Sequence, residues 1–579
     1  MLRTTPRRIT LLAMLAVAIG VLSGGAAWVL IRLIALITNL TLFGRVGFEL
    51  PPMSELTPSP RVVGVAVLGA LVVAALAKWS PAIKGHGIPE AMESVLRGQS
   101  RVAPRTALAK PLSSAIAIGT GGPFGAEGPI IVTGGSLGSL IGQVVRVSPS
   151  ERKILLACGA AGGMAATFGA PIAAIVLAIE LLLFEFSTRA FIPIAISASV
   201  AGGVHSALFG SGPLFTIPDH VFAGLSDLPL FIPLGLACGL LAVLISRGLF
   251  VVEAGFRRLP VSEFWHPAIG ALGFGLVGLA VPEALGVGYD VIDKVLAGGI
   301  AAGTLAVLAG AKLVAWWLAL GSGTSGGTLA PVLLISGAFG GLAGELMLQL
   351  FPGSPLSAGA FALVAMAATF GAATRATLTS IVFVFELTRD YEAILPLILA
   401  SVLADLVGAW FLPHTLMTEK LYRRGLRVNT DLHVDVMAST SIGDVMNRGV
   451  ASLASDASIA DAVEIVQRTG HSAYPLLDDN GALVGIISRS DLLGRGGMDA
   501  TSVTDLARVD VVTVTPTDTV ARASELMLEE AVDHLPVVVD GRMIGMCTRT
   551  DLLKAQGRMM AAESPEAGWR PRRSRQSRS

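Results

Sequence analysis

Apolar residues dominate the chain from Thr10 to about Leu412, with few charges between successive runs. Residues 9–37, 62–77, 228–249 and 394–412 approach or exceed the ~20 apolar residues that a membrane span needs. Others, such as 108–118, 129–145 and 331–350, are shorter and interrupted by Gly and Pro. Broken apolar segments are tolerated at membrane depth only where protein covers them or they line a cavity. The pattern therefore predicts a channel or transporter core rather than a bundle of simple spans. Arg3, Arg7 and Arg8 precede the first run, which continues well beyond a signal-peptide core; it reads as a span with a cytoplasmic amino terminus. After Leu412 the pattern changes. Residues 430–556 alternate short apolar strands with amphipathic helices and frequent Asp, which is soluble α/β patterning. The stretch 564–579 is low in complexity and carries Arg570, Arg572, Arg573, Arg575 and Arg578, a solvated basic tail.

Composition narrows the class. Of 579 residues 53% are hydrophobic and 15% charged, against about 25% charged in an ordinary soluble domain. The 42 Lys and Arg balance the 42 Asp and Glu, so no bulk positive charge suggests nucleic-acid binding. Three cysteines, Cys158, Cys238 and Cys547, form neither a disulfide framework nor a metal spacing. No nucleophile–base pair or metal-ligand set points to an enzyme.

The membrane region repeats itself. Gly119, Gly121, Gly125 and Pro129 match Gly321, Gly323, Gly327 and Pro331 at one offset of 202 residues. Lys110 and Lys312 obey it, as does an identical heptapeptide, 164–170 against 366–372. Gly85-His86-Gly87 faces Gly286-Val287-Gly288 with a one-residue slip, and Glu180 and Glu386 end matching helices. Such a repeat fits two structural halves with a site at their interface.

Gly85-His86-Gly87-Ile88-Pro89 and Gly125-Ala126-Glu127-Gly128-Pro129 each set Gly before a segment started by Pro. A helix amino terminus carries about half a positive charge and free N–H groups, so several together hold an anion without a full cation. The segment 321–331 supplies another such terminus. On this reading Gly85, Gly87, Gly125, Gly128 and Gly327 expose backbone amides. Helix packing through small residues is the competing account of any one segment. Glu127 stands apart: a carboxylate at the start of an apolar segment is costly in a membrane and is a functional candidate. Ionised, it would occupy an anion site; protonated or displaced, it would leave it.

These segments, with Gly327-Thr328-Leu329-Ala330-Pro331, resemble the three signatures of the CLC chloride channels and chloride/proton antiporters, in order and spacing over residues 10–425. The resemblance implies an all-α polytopic membrane protein with two inverted-topology repeats of tilted and broken helices. It also implies a homodimer in the plasma membrane, each subunit with its own chloride pathway and no required cofactor. Glu127 matches the gating glutamate. Gly85, His86, Gly87, Ile88, Pro89, Gly125, Gly128, Pro129, Gly327, Thr328, Leu329, Ala330 and Met417 match anion-binding positions. Three of them depart from the family pattern: His86 replaces a usual Ser, Leu329 a common Phe, and Met417 a Tyr. The internal glutamate of proton-coupled members is Leu181 here, which favours a channel over an antiporter, with Glu180 or Glu185 as substitute relays.

The soluble region repeats as well, with 485–488 and 491–493 recurring at 545–548 and 551–553. It resembles a tandem CBS pair, an α/β cytoplasmic module. The resemblance implies ATP, ADP or AMP as ligands of Ser488, Asp491, Thr548 and Asp551, or a pair that binds nothing and stabilises a dimer. The expected layout is a transmembrane domain over 1–429 (halves about 10–210 and 228–425), CBS modules over 430–499 and 500–560, and a basic tail over 561–579. Expected partners are a second copy, chloride or other small anions, and the lipid bilayer, with no nucleic acid; both termini would be cytoplasmic. A CBS-regulated divalent-cation transporter is the distant alternative.

Overall fold

In the computed structural model the described residues are 6–97, 100–145, 147–184, 186–215, 224–352, 355–426, 440–494 and 502–554. Glu185 and the basic tail lie outside them. The chain divides into two compact units between Leu432 and His433.

The first unit is helical. Eight helices of its first half are α1 (Pro6–Thr38), α2 (Pro60–Trp79), α3 (Ile88–Arg97), α4 (Pro104–Gly119), α5 (Glu127–Val144), α6 (Pro149–Phe168), α7 (Pro171–Leu177) and α8 (Thr188–Phe209). The second half answers with α9 (Phe231–Arg257), α10 (His266–Ala280), α11 (Tyr289–Ala297), α12 (Ala302–Gly321), α13 (Leu329–Leu350), α14 (Ala358–Thr374), α15 (Thr377–Thr388) and α16 (Ile394–Phe411). Each helix of the first half thus has its repeat mate eight places on. Among the described residues seven helices are long and apolar enough to cross a membrane.

Local chemistry sets the boundaries. Proline occupies the first turn of α2, α4, α6 and α7, where its missing N–H removes nothing from the helix. Ser148 and Glu151 form a reciprocal capping box at the start of α6. Glu151 also receives Arg8 through two nitrogens at 3.0 and 2.7 Å, and Arg189 at 3.5 Å. One buried carboxylate therefore ties the starts of α1, α6 and α8. The long first helix is part of the packed core, with Leu12, Ala16 and Ile19 buried against α6 and α8.

The inner layer is made of α5, α6, α13 and α14, whose Gly and Ala faces let backbones approach. All seventeen residues of α14 are buried. The segment 331–350, which reads from sequence as interrupted, is instead one continuous helix from Leu329 to Leu350. Its glycines are contact surface; Gly340, for example, lies against Ala362 and Ala365.

The two halves exchange helix caps. Glu180, in the π-turn that follows α7, accepts from the Thr379 N–H at 2.9 Å and its hydroxyl at 2.6 Å, at the start of α15. Glu386, on α15, accepts from the Ile172 and Ala173 N–H groups at 3.1 and 2.7 Å, at the start of α7. Each carboxylate meets the positive end of the other's helix.

The second unit holds a three-stranded sheet, β1 (Leu453–Ala454) parallel to β2 (Ala473–Leu477), which pairs antiparallel with β3 (Leu483–Ser488). A second hairpin joins β4 (His534–Val539) to β5 (Arg542–Thr548). The modules exchange segments. Ile442 and Met446 pack in the core of the second module, while Val503 packs in that of the first. Modules contiguous in sequence are thus interleaved in space.

The exchanged caps yield a stability prediction. Glu386→Ala removes the anion from two amides of α7 and should cost about 1–2 kcal/mol. Thermal unfolding of the purified protein in detergent checks this, and Glu180→Ala should show a similar loss at the mated position.

Candidate functional site

Four helix starts meet at the centre of the first unit: α3 and α5 from one half, α11 and α13 from the other. The preceding loops lock together through their backbones. Gly125 and Gly327 exchange N–H···O bonds of 3.3 and 3.0 Å. Gly85 donates to the Thr324 carbonyl at 3.3 Å and accepts from the Gly326 N–H at 3.4 Å. Side chains are excluded by contact. A Cβ on Gly125 would fall on the Glu127 carboxylate, and one on Gly128 would fall on the His86 carbonyl.

Glu127 opens α5 and is buried. Its Oε1 accepts the Tyr289 hydroxyl at 3.1 Å and the Ala330 N–H at 3.2 Å. Its Oε2 has no partner among the described residues and lies beside Gly125 and Gly327. A negative group therefore sits at the start of α13, where the first-turn amides have no intrahelical acceptor. Leu329, which the 202-residue offset sets where a second Glu127 would be, is buried and apolar.

The glycine amides differ from the expectation. Those of Gly85, Gly125 and Gly327 are taken up in the loop–loop bonds, and the Gly87 N–H donates to Glu90 Oε2 at 2.7 Å. These glycines act by permitting close approach, and the Ala330 amide is the backbone donor from the second half. Ile88 and Pro89 form the first turn of α3, Pro129 lies in the first turn of α5, and Thr328 precedes α13.

His86 and Met417 are both buried, and neither bonds the Glu127 carboxylate. The His86 side chain is buried, and its Nδ1 has no partner among the described residues. Met417 is fully buried, and its N–H is held by the Thr415 hydroxyl at 3.2 Å.

Two elements of the site were not singled out as functional from sequence. One is Tyr289, one place beyond Gly288, whose repeat mate is Ile88. The other is the buried pair Lys110 and Lys312. Lys110 donates to the Ile83 and Gly85 carbonyls, both at 2.8 Å, and Lys312 to the Gly286 carbonyl at 2.8 Å. Each amine clamps the Gly-x-Gly loop of its own half. The 202-residue offset was their signal.

Cavities lie on both sides of the crossing loops. One of about 800 Å³ is lined by Gly85, Ser322 and Gly323, with Lys78, Lys84, Arg257 and Lys420 against Glu253 and Glu263. The other, of about 330 Å³, reaches Ala126 and Tyr289.

Comparison with known proteins places the chain in a family. A family model described as voltage gated chloride channel matches residues 68–409. The chain belongs to the CLC family. Two CBS domain matches follow, at 442–496 and 503–558. The protein is 34% identical over 370 residues to a protein named H(+)/Cl(-) exchange transporter ClcA of Vibrio cholerae, covering 60% of this chain and 78% of the relative. It is 31% identical over 358 residues to a putative chloride channel protein ClcB-like of Ralstonia nicotianae, covering 61% and 82%. Its fold matches the crystal structure of a slow cyanobacterial Cl-/H+ antiporter with a TM-score of 0.64 at 24% identity, over 72% of this chain and 98% of that one. This CLC protein is an integral membrane protein.

In the second unit the four CBS positions are engaged locally. Ser488 donates to Asp491 at 2.6 Å, and Thr548 to Asp551 at 2.7 Å, each pair capping a helix start. His534 pairs with the Ser472 hydroxyl at 2.9 Å, linking the two modules. Burial holds its imidazole below the usual histidine range, against the pull of Asp533 and Asp551.

Crowding at Gly125 gives a structural prediction. Gly125→Ala places a methyl group on the Glu127 carboxylate and should turn it out of its seat. A cryo-EM map of the variant would then lack the Tyr289–Glu127 contact; an unmoved carboxylate would contradict it.

Proposed function

We propose that this CLC protein moves chloride across the plasma membrane along a path gated by Glu127, and that it does so as a channel. The observation that carries the reading is the seat of the carboxylate. It accepts donors from two helices of the other half, with an open cavity on either side of the loops. A carboxylate there blocks an anion by taking its place and by repelling it. Losing its charge or swinging away frees the donors. The basic lining of the larger cavity raises the local concentration of anions before they reach the loops.

Two features support a channel over an exchanger. Leu181, at the place of the internal glutamate, is buried among apolar residues. Glu180 beside it is engaged as a helix cap by Thr379. An antiporter is the second reading, favoured by the names of the Vibrio relative and the cyanobacterial structure. The basic amino-terminal residues support cytoplasmic termini and a cytoplasmic CBS pair. Exposed apolar side chains on α15 and α16, including Leu378, Leu395 and Val402, suit a subunit contact within a homodimer. Adenine nucleotide (ATP, ADP or AMP) at the CBS pair would have to draw Ser488, Asp491, Thr548 and Asp551 out of their caps.

Chloride flux from proteoliposomes, with internal pH recorded under opposing gradients, tests the proposal. Protonation removes the charge of Glu127, so flux should rise as pH falls. Glu127→Gln should keep conducting and lose that dependence. Proton movement at a fixed ratio to chloride would replace the channel by the exchanger.

A further inference from the structure

We propose that Tyr289 is an anion ligand of the pathway, its hydroxyl holding the transported anion once the Glu127 carboxylate has left. The inference rests on the transport reading above and adds a residue to its binding site.

The geometry begins with one oxygen atom. Glu127 Oε1 accepts both the Tyr289 hydroxyl at 3.1 Å and the Ala330 N–H at 3.2 Å. Two donors aimed at one point define a place for negative charge. Neither belongs to the helix of Glu127: Tyr289 starts α11 and Ala330 lies in the first turn of α13. Rotation of the carboxylate therefore leaves both donors in position. A halide accepts from them as the carboxylate oxygen does, with no proton transferred and the phenol staying neutral.

The ring is fixed from two sides. Phe168 meets it at 6.2 Å between centroids and 72°, and Phe215 at 6.1 Å and 66°, both edge-on. Such packing keeps the hydroxyl directed at the vacated point. Tyr289 also lines the cavity of about 330 Å³ together with Ala126, Thr167 and His205. The residue thus stands between that opening and the gate.

The substitutions elsewhere make the hydroxyl consequential. Neither His86 nor Met417 carries a hydroxyl, and the Met417 amide is already held by Thr415. Tyr289 brings a phenolic donor into the site from the second half.

The competing role is that of a latch, which binds only the carboxylate. Glu127→Ala removes what a latch would hold, so the comparison is made in that background. Chloride is titrated calorimetrically into the purified full-length protein. Tyr289→Phe, which deletes one oxygen atom and keeps the ring, should weaken chloride binding to Glu127→Ala about tenfold or more. Replacing Tyr289 by 3-fluorotyrosine, a stronger donor of similar shape, should tighten it. Equal affinities with and without the hydroxyl would overturn the proposal. So would weakening by both replacements, which would mean that ring packing alone matters. If neither the wild type nor Glu127→Ala binds or passes chloride, the transport reading falls, and the ligand falls with it.

Discussion

A negative group held in a low-dielectric interior needs donors that are already in place, because water cannot supply them. In this protein the need is met at Glu127 Oε1, by one hydroxyl and one backbone amide from the opposite half. Much of the surrounding architecture follows from it. Helices must begin at the centre rather than at the membrane surfaces, so their preceding loops must cross there. Crossing loops in turn require backbone against backbone, which Gly125, Gly128 and Gly327 permit. Lys110 and Lys312 then hold the Gly-x-Gly loops by their carbonyls.

The same requirement accounts for the division between core and surface. Of the helices that start at the centre, α5 is buried from Glu127 to Ser136 and α13 from Leu329 to Ala338, and α14 beside them is buried along its whole length. Those that run past them, such as α1 and α9, bury one face and expose Leu and Val on the other. The exchanged caps of Glu180 and Glu386 extend the pattern to α7 and α15, where each half completes a helix of the other.

The membrane class, the repeat and Glu127 were legible because each breaks an expectation set by lipid. Long apolar runs, a constant offset and a carboxylate between Gly and Pro are all costly or improbable otherwise. Tyr289 was not legible: an aromatic residue after Gly at a helix start has no distinctive pattern, and its partner lies 162 residues away. The engaged amides of Gly85 and Gly125 escaped for a related reason, since a local motif shows that backbone is free to turn but not which carbonyl it meets. Residues 331–350 looked broken because glycine lowers helix propensity, whereas close packing of Gly340 against Ala362 and Ala365 more than offsets it. In the CBS pair, sequence order concealed that Ile442 packs in the later module.

One departure from the internal symmetry has a consequence for direction. The offset that relates the halves puts Leu329 opposite Glu127, so only one of the two mated helix starts bears a carboxylate. Two carboxylates there would repel each other across the crossing loops. A single one makes the path polar, since an ion arriving from the Tyr289 side meets a different sequence of groups from one arriving from the Gly85 side. A repeat with this mismatch is thus a scaffold of related halves whose centre carries its charge on one side only.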